Sequence, residues 1–279
     1  MNNFKTAVLM SALIGLFMAV GYFILGPQGL AIGLAFGGIS NLLAYFYSDR
    51  IATAAMGARE VSPRDIPWLF AMVQDLSSRA GMPMPRIYIS PQAAPNAFAT
   101  GRNPQHAAVA VTEGMLRNFP HDEIEGVLAH ELSHVRHRDV LISTIAATMA
   151  GVISYVGYIF MFGGGRDRNN PFGAIGALLM IILAPLAAML IQLAISRSRE
   201  YAADASGGEL CGDPNKLAAA LARLEHGNER IPTDTPPAFN SLYIVEPLSA
   251  GSMAASLFST HPPIEKRIEA LRRQAMQMR

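Results

Sequence analysis

The sequence predicts a mostly helical α+β membrane protein, with four transmembrane helices and a domain outside the bilayer that carries a small β-sheet. The 279 residues are 51% hydrophobic and only 15% charged, against roughly 25% charged in ordinary globular chains. The shortfall is concentrated in apolar blocks at about 6–26, 29–47, 140–162 and 171–195, each close to the ~20 residues a helix needs to span a bilayer. Between and after these blocks the composition is mixed, with short β-type runs beside helical repeats. A net charge of +1 leaves no basic footprint for nucleic acid, and the single Cys211 excludes an internal disulfide.

The first unit is 1–50. Its opening apolar run follows Lys5, is too long for a signal peptide and is followed at once by a second run, so it reads as a retained span. Gly26-Pro27-Gln28-Gly29 leaves room only for a tight hairpin, and Gly33, Gly37 and Gly38 let the two helices approach closely. Asp49-Arg50 closes the second span.

The second unit is 51–139. Ile66, Leu69, Phe70, Val73 and Leu76 have helical spacing over 64–80, and Gly81 stops that helix. Pro83 and Pro85 force an extended connection. Strands are expected at 86–90, 96–101 and 107–111, then a short helix at 113–118 and a longer one over about 122–139, where Asp122 and Glu125 have capping-box spacing.

In the third unit, 140–195, two uncharged runs flank the polar turn 163–170, and Pro185 is a kink site. The fourth, 196–279, holds the amphipathic helix 214–226, an irregular stretch 228–260 and a final helix after Pro262-Pro263. Met253, Leu257 and Phe258 fit a lid, a bilayer contact or plain packing equally well. Lys5, Arg50, Arg59, Arg64, Arg136, Arg138, Arg197 and Arg199 flank one side of the spans, and only Arg166 and Arg168 the other. Positive charge therefore puts both termini and the mixed units in the cytoplasm.

The stretch His130-Glu131-Leu132-Ser133-His134 reads H-E-x-x-H inside the predicted 122–139 helix. Positions i and i+4 share a face, so both imidazoles reach a single ion, and neutral imidazole suits zinc. Glu131 lies about 100° further round the helix, placed to address a water on the metal rather than the metal itself. Metal hydrolases need that division of labour. Two histidines can also decorate a solvated face, but Ile124, Val127, Leu128, Leu132 and Val135 form an apolar stripe, so this helix packs.

A catalytic zinc needs a third protein ligand. His134 lies 6 residues before Val140, and Glu200 lies 5 after Ile195. If the third and fourth spans form an antiparallel hairpin whose helices continue past the bilayer, both residues stand about 8–9 Å above it. The result is one Zn²⁺ per chain, held by His130, His134 and Glu200 with one position open. Asp204, one turn after Glu200, can accept the second N–H of a ligand imidazole, and Asp139 is the alternative for that role. His137 is a weaker rival ligand. His106, His121 and His226 read as surface residues.

These motifs, with Ser198-Arg199-Glu200-Tyr201-Ala202-Ala203-Asp204, Asn96-Ala97-Phe98-Ala99-Thr100-Gly101 and Thr260-His261-Pro262-Pro263, resemble the HtpX family of membrane zinc proteases over essentially the whole chain. The resemblance implies a zincin-like metalloprotease domain at the cytoplasmic face of the bacterial inner membrane. It also implies cleavage of damaged or misfolded membrane proteins, with the bilayer and unfolded polypeptides as partners. The segment Asn96, Ala97, Phe98 is similar to the substrate-binding edge strand of thermolysin-like enzymes, where main-chain hydrogen bonds accept many sequences. An ordinary strand with Phe98 in the core is the alternative. His261 is a candidate for stabilising the oxyanion, with helix capping or a surface role equally open. The rival functions are a site-specific processor such as a prenyl-protein endopeptidase, and a transporter or scaffold with a structural metal. The four runs contain no ionisable residue for transport, and no fourth protein ligand is evident to close a structural site.

Overall fold

The computed structural model describes residues 2–162, 196–228, 242–244 and 262–278. Helices α1 (Asn2–Leu25) and α2 (Pro27–Ala55) form a hairpin that turns at Gly26, φ 64°. Pro27, which has no N–H to satisfy, starts α2. A methyl group on Gly33 would run into the Phe17 carbonyl and one on Gly37 would crowd Ile14, whereas Gly38 faces open space. Asn41 Nδ2 donates to the Met10 carbonyl at 2.8 Å across the hairpin. Both helices are long and apolar enough to cross a membrane.

Asp49-Arg50 does not end α2. The helix bends at Tyr47 (φ −115°, ψ 16°) and runs on to Ala55. Its last turns dock on the mixed region: Asp49 pairs with Arg86, and Ala52 and Met56 are buried against the sheet. Tertiary packing there outweighs the end of the apolar block.

The sheet comprises β1 (Arg59–Glu60), β2 (Arg86–Ser90), β3 (Ala97–Gly101) and β4 (Ala107–Thr112), in the order β1-β2-β4-β3. β2 and β4 are parallel, and the outer pairs are antiparallel, with Ala99 opposite Val109. β1, only two residues long, carries no alternation that reveals it in advance. Around the sheet lie α3 (Pro67–Arg79), α4 (Glu113–Asn118), α5 (His121–His137), α6 (Val140–Phe162), α7 (Arg197–Cys211), α8 (Pro214–Asn228) and α9 (Ile264–Gln277). Helix α3 starts three residues later than its periodicity suggests, because Asp65 Oδ2 accepts from both the backbone N–H and the hydroxyl of Ser62, each at 2.7 Å, and holds a turn there.

Strand alternation splits the core in two. Ile87, Ile89, Val109 and Val111 pack with α3, α5 and α8 on one face. Tyr88, Phe98, Ala108 and Ala110 pack with α2 and α6 on the other. The sheet is therefore sandwiched between the metal-motif helix and the apolar helices, and β3 is left as an edge. Asp122 and Glu125 do not make a capping box, since Pro120 occupies the cap. Instead Glu125 binds Lys216 of α8 at 2.7 Å, and Glu123 takes a two-pronged bond from Arg223 at 2.6 and 2.8 Å. The expected span 171–195 and the residues Met253, Leu257, Phe258 and His261 lie outside the described residues.

Candidate metal centre

Helix α5 presents His130 and His134 one turn apart, and α7 crosses it with Glu200 in its first turn. Helix continuity does not bring them together. α5 ends at Arg138 in the left-handed region (φ 58°), and α7 begins after Ser196, which is extended (φ −137°, ψ 120°). The convergence comes from the α5–α7 crossing, which Gly207 permits: a methyl there would sit 2.9 Å from the backbone N and Cα of His130.

The donor atoms of His130, His134 and Glu200 all lie within 4.8 Å of one another. The two Nε2 atoms are 3.2 Å apart. Glu200 Oε1 is 3.4 Å from His134 Nε2, and Oε2 is 3.8 Å from His130 Nε2. Ligand bonds of 2.0–2.1 Å at tetrahedral angles set donors about 3.3 Å apart. Two imidazoles and a carboxylate at these spacings suit Zn²⁺ in type and size.

Both imidazoles are backed by carboxylates. Asp204 Oδ1 lies 2.9 Å from His130 Nδ1, with the ring N–H aimed off line. Asp139 Oδ2 lies 3.6 Å from His134 Nδ1, and Arg199 Nε stands 3.8 Å from Asp139. Asp204 and Asp139 are therefore not alternatives, because each faces a different histidine. Burial works against charge on His134, but the Glu200, Asp139 and Glu131 carboxylates override it and raise its pKa to about 9 without a metal. Burial would likewise raise Asp204, yet the Arg267 guanidinium holds it down at about 2. His137 is exposed and outside the cluster. His106 bonds Asn103 at 2.8 Å, and His121 stacks on Trp68 with ring centroids 3.8 Å apart.

Glu131 is buried beside the two histidines, and its Oε2 accepts from the Ala99 N–H of β3 at 2.9 Å. Burial pushes its pKa up, against the lowering pull of His130 and His134. The outer edge of β3 thus faces α5, and a small cleft beside that contact is bordered by Phe98, Ala99, Ser143, Arg199 and the segment Leu242, Tyr243, Ile244. Asn96 and Ala97 do not border it. Asn96 is fully buried, and its Oδ1 accepts from the Ile244 N–H at 3.2 Å. Tyr243 bonds Gln92.

Two participants escape sequence reasoning. Leu242–Ile244 carries no sequence periodicity that singles it out. Arg267 is fully buried and donates to both Asp204 oxygens at 2.7 and 2.8 Å. A signal for it exists: Arg267 falls on the stripe Ile264, Ile268, Leu271, Ala275, and a cation on an apolar stripe needs a buried partner.

Residues 63–275 match Peptidase family M48. The protease HtpX homolog of Nostoc punctiforme is 50% identical over 276 residues, 97% of this chain and 95% of that protein. The homolog of Desulfatibacillum aliphaticivorans is also 50% identical, over 97% and 89%, and that of a Sulfurihydrogenibium species 50%, over 99% and 97%. Among solved structures, the crystal structure of Ste24p from S. mikatae superposes with a TM-score of 0.52 at 19% identity, covering 97% of this chain and 65% of that one, a likeness of fold. An H-E-x-x-H helix with a converging glutamate, a family match over most of the chain and three half-identical proteases lead to one assignment: the chain is a metallopeptidase that belongs to peptidase family M48 and, within it, to the HtpX proteases.

Proposed function

We propose that this protein is a multi-pass zinc endopeptidase of the bacterial inner membrane that cleaves damaged or misfolded membrane proteins at the cytoplasmic face. The observation that carries the proposal is the convergence of His130, His134 and Glu200 beside Glu131, in a cleft walled by a sheet edge. The four-span arrangement, 6–26, 29–47, 140–162 and 171–195, is supported by α1, α2 and the uncharged 23-residue α6. The cytoplasmic orientation is supported by the basic flanks.

His130, His134 and Glu200 would hold one zinc, which when bound lowers the pKa of a water and polarises the scissile carbonyl. Asp204 and Asp139 orient the two imidazoles through their second nitrogens. Glu131 takes a proton from the attacking water and delivers it to the leaving amine. The Ala99 N–H fixes one carboxylate oxygen so that the other points at the reaction. An extended substrate segment lies along β3 beside Phe98 and Ala99, which favours unfolded chains of varied sequence. Asn96 serves that strand indirectly, by holding Ile244 in the opposite wall. His261 remains the candidate for the oxyanion.

The test is zinc-dependent cleavage of an unfolded protein in detergent, by the parent and by Glu131→Gln. The variant is expected to keep one zinc per chain and lose about 10²–10⁴-fold in kcat, the scale of a positioned acid–base group. Cleavage at the parent rate by Glu131→Gln refutes the assignment.

A further inference from the structure

Arg267 touches three separate pieces of the site from the C-terminal helix. Its Nε and Nη2 donate to Asp204 Oδ2 and Oδ1 at 2.8 and 2.7 Å. Nη2 also stands 3.8 Å from Glu200 Oε2. Nη1 donates to the Ile244 carbonyl at 3.3 Å. Asp204 in turn faces His130, and Ile244 is part of the cleft wall. All of this happens at a side chain with no exposed surface, where an unpaired cation is strongly disfavoured.

We propose that Arg267 is a positioning residue for the peptidase reaction: it locks Asp204 against His130 and fixes the Leu242–Ile244 wall, so that the metal ligands and the substrate cleft are set by one side chain. The inference assumes the zinc site proposed above. A planar guanidinium fits both carboxylate oxygens at once and still has a donor for Ile244, whereas an ammonium offers a single point of charge. With the fork in place Asp204 cannot rotate, so Oδ1 stays beside His130 Nδ1 and the ring keeps its Nε2 turned toward His134. Helix α9 is therefore a component of the site, although no α9 residue is a metal ligand.

The test uses the full chain in detergent, carrying Glu131→Gln so that self-digestion cannot intervene, and reads zinc affinity by chelator competition. Arg267→Lys and Asp204→Asn are each expected to weaken zinc about 10–100-fold, the range for partners that orient ligands. The double variant is expected to be no more than about threefold weaker than the worse single one, because both changes break one linkage. Leu271→Ala, on the same helix but away from the ion network, controls for loosened packing. It is expected to lower Tm by at least as much as Arg267→Lys while holding zinc within about twofold of the parent. Arg267→Gln, measured the same way, replaces the lysine variant if that chain does not fold. Near-parental affinity in the Arg267 variant, multiplicative losses in the double variant, or an equal loss in Leu271→Ala each overturns the proposal. Failure of the parent itself to bind zinc would instead refute the metal site on which the proposal depends.

Discussion

In the α1–α2 hairpin, Gly33 lets one helix lie against the Phe17 carbonyl; at the α5–α7 crossing, Gly207 lets another lie against the backbone of His130. The residue and the close approach are the same, but the surroundings differ. Around the hairpin, Tyr22, Phe23, Leu34 and Phe36 point outward, and among the described residues the exposed large apolar side chains elsewhere are Met84, Met276 and Met278. Around the crossing, Glu200, Asp204, His130 and Arg267 are buried and mutually paired. In the first region close approach adds dispersion contacts in an apolar solvent. In the second it sets distances between charged groups, where a few tenths of an ångström change the chemistry.

The sharpest separation of the two regions is topological. With Cys211 replaced, a cysteine introduced at Asn169 is expected to label with an impermeant reagent from outside the inner membrane, and one at Gln277 only after permeabilisation. The reverse pattern would dissociate the apolar hairpin from the orientation given by the basic flanks. The next effect is smaller and compares the glycines directly. Gly207→Ala and Gly33→Ala are each expected to cost about 1–3 kcal/mol of overpacking, less the ~1 kcal/mol alanine gains in helix propensity. Only Gly207→Ala should also weaken zinc by about tenfold or more, as changes around metal ligands do. Equal zinc affinities in the two variants would show that the crossing does not set the site.

The smallest effect is on pH dependence. Without a metal the His134 pKa is raised to about 9, above its unfolded value of about 6.5. The protonated form is then the one the fold favours, so this stabilisation is complete below pH 6.5 and disappears as pH rises through 9. Glu131, Glu200 and Asp139 face the ring. The raised pKa of buried Glu131 acts in the same direction, since its charged form is disfavoured in the fold. Chelated protein is expected to lose Tm between pH 6.5 and 9, and zinc-loaded protein to lose less, because the ion replaces the proton. Parallel curves would count against the raised pKa.

What the sequence reveals follows from periodicity and local spacing. Helix α5, the three longer strands and the start of α6 are legible, because each is a self-contained pattern of apolar residues. Glu200 is also legible, but through an idealisation. Continuous helices suggest the right neighbour, while the structure breaks them at Arg138 and Ser196 and uses the Gly207 crossing instead. The extension of α2 past Asp49 is hidden because its cause is a partner, Arg86, far along the chain. Asn96 is read as a substrate contact from the likeness of its segment to the edge strand of thermolysin-like enzymes, and only the fold shows its amide turned to Ile244. Arg267 is missed because a charge on an amphipathic helix is ordinarily assigned to the solvated face.

Whether Glu200 completes a metal site with His130 and His134 is decided by comparing Glu200→Gln with Glu209→Gln for zinc retention during dialysis against a graded chelator. Glu209 is exposed near the end of the same helix α7. Loss of the Glu200 carboxylate is expected to weaken zinc by at least the roughly 10–100-fold seen for residues that merely orient ligands, and loss of Glu209 to change nothing measurable. If Glu200→Gln retains zinc as tightly as the parent, the third ligand lies elsewhere and the account of the site is wrong.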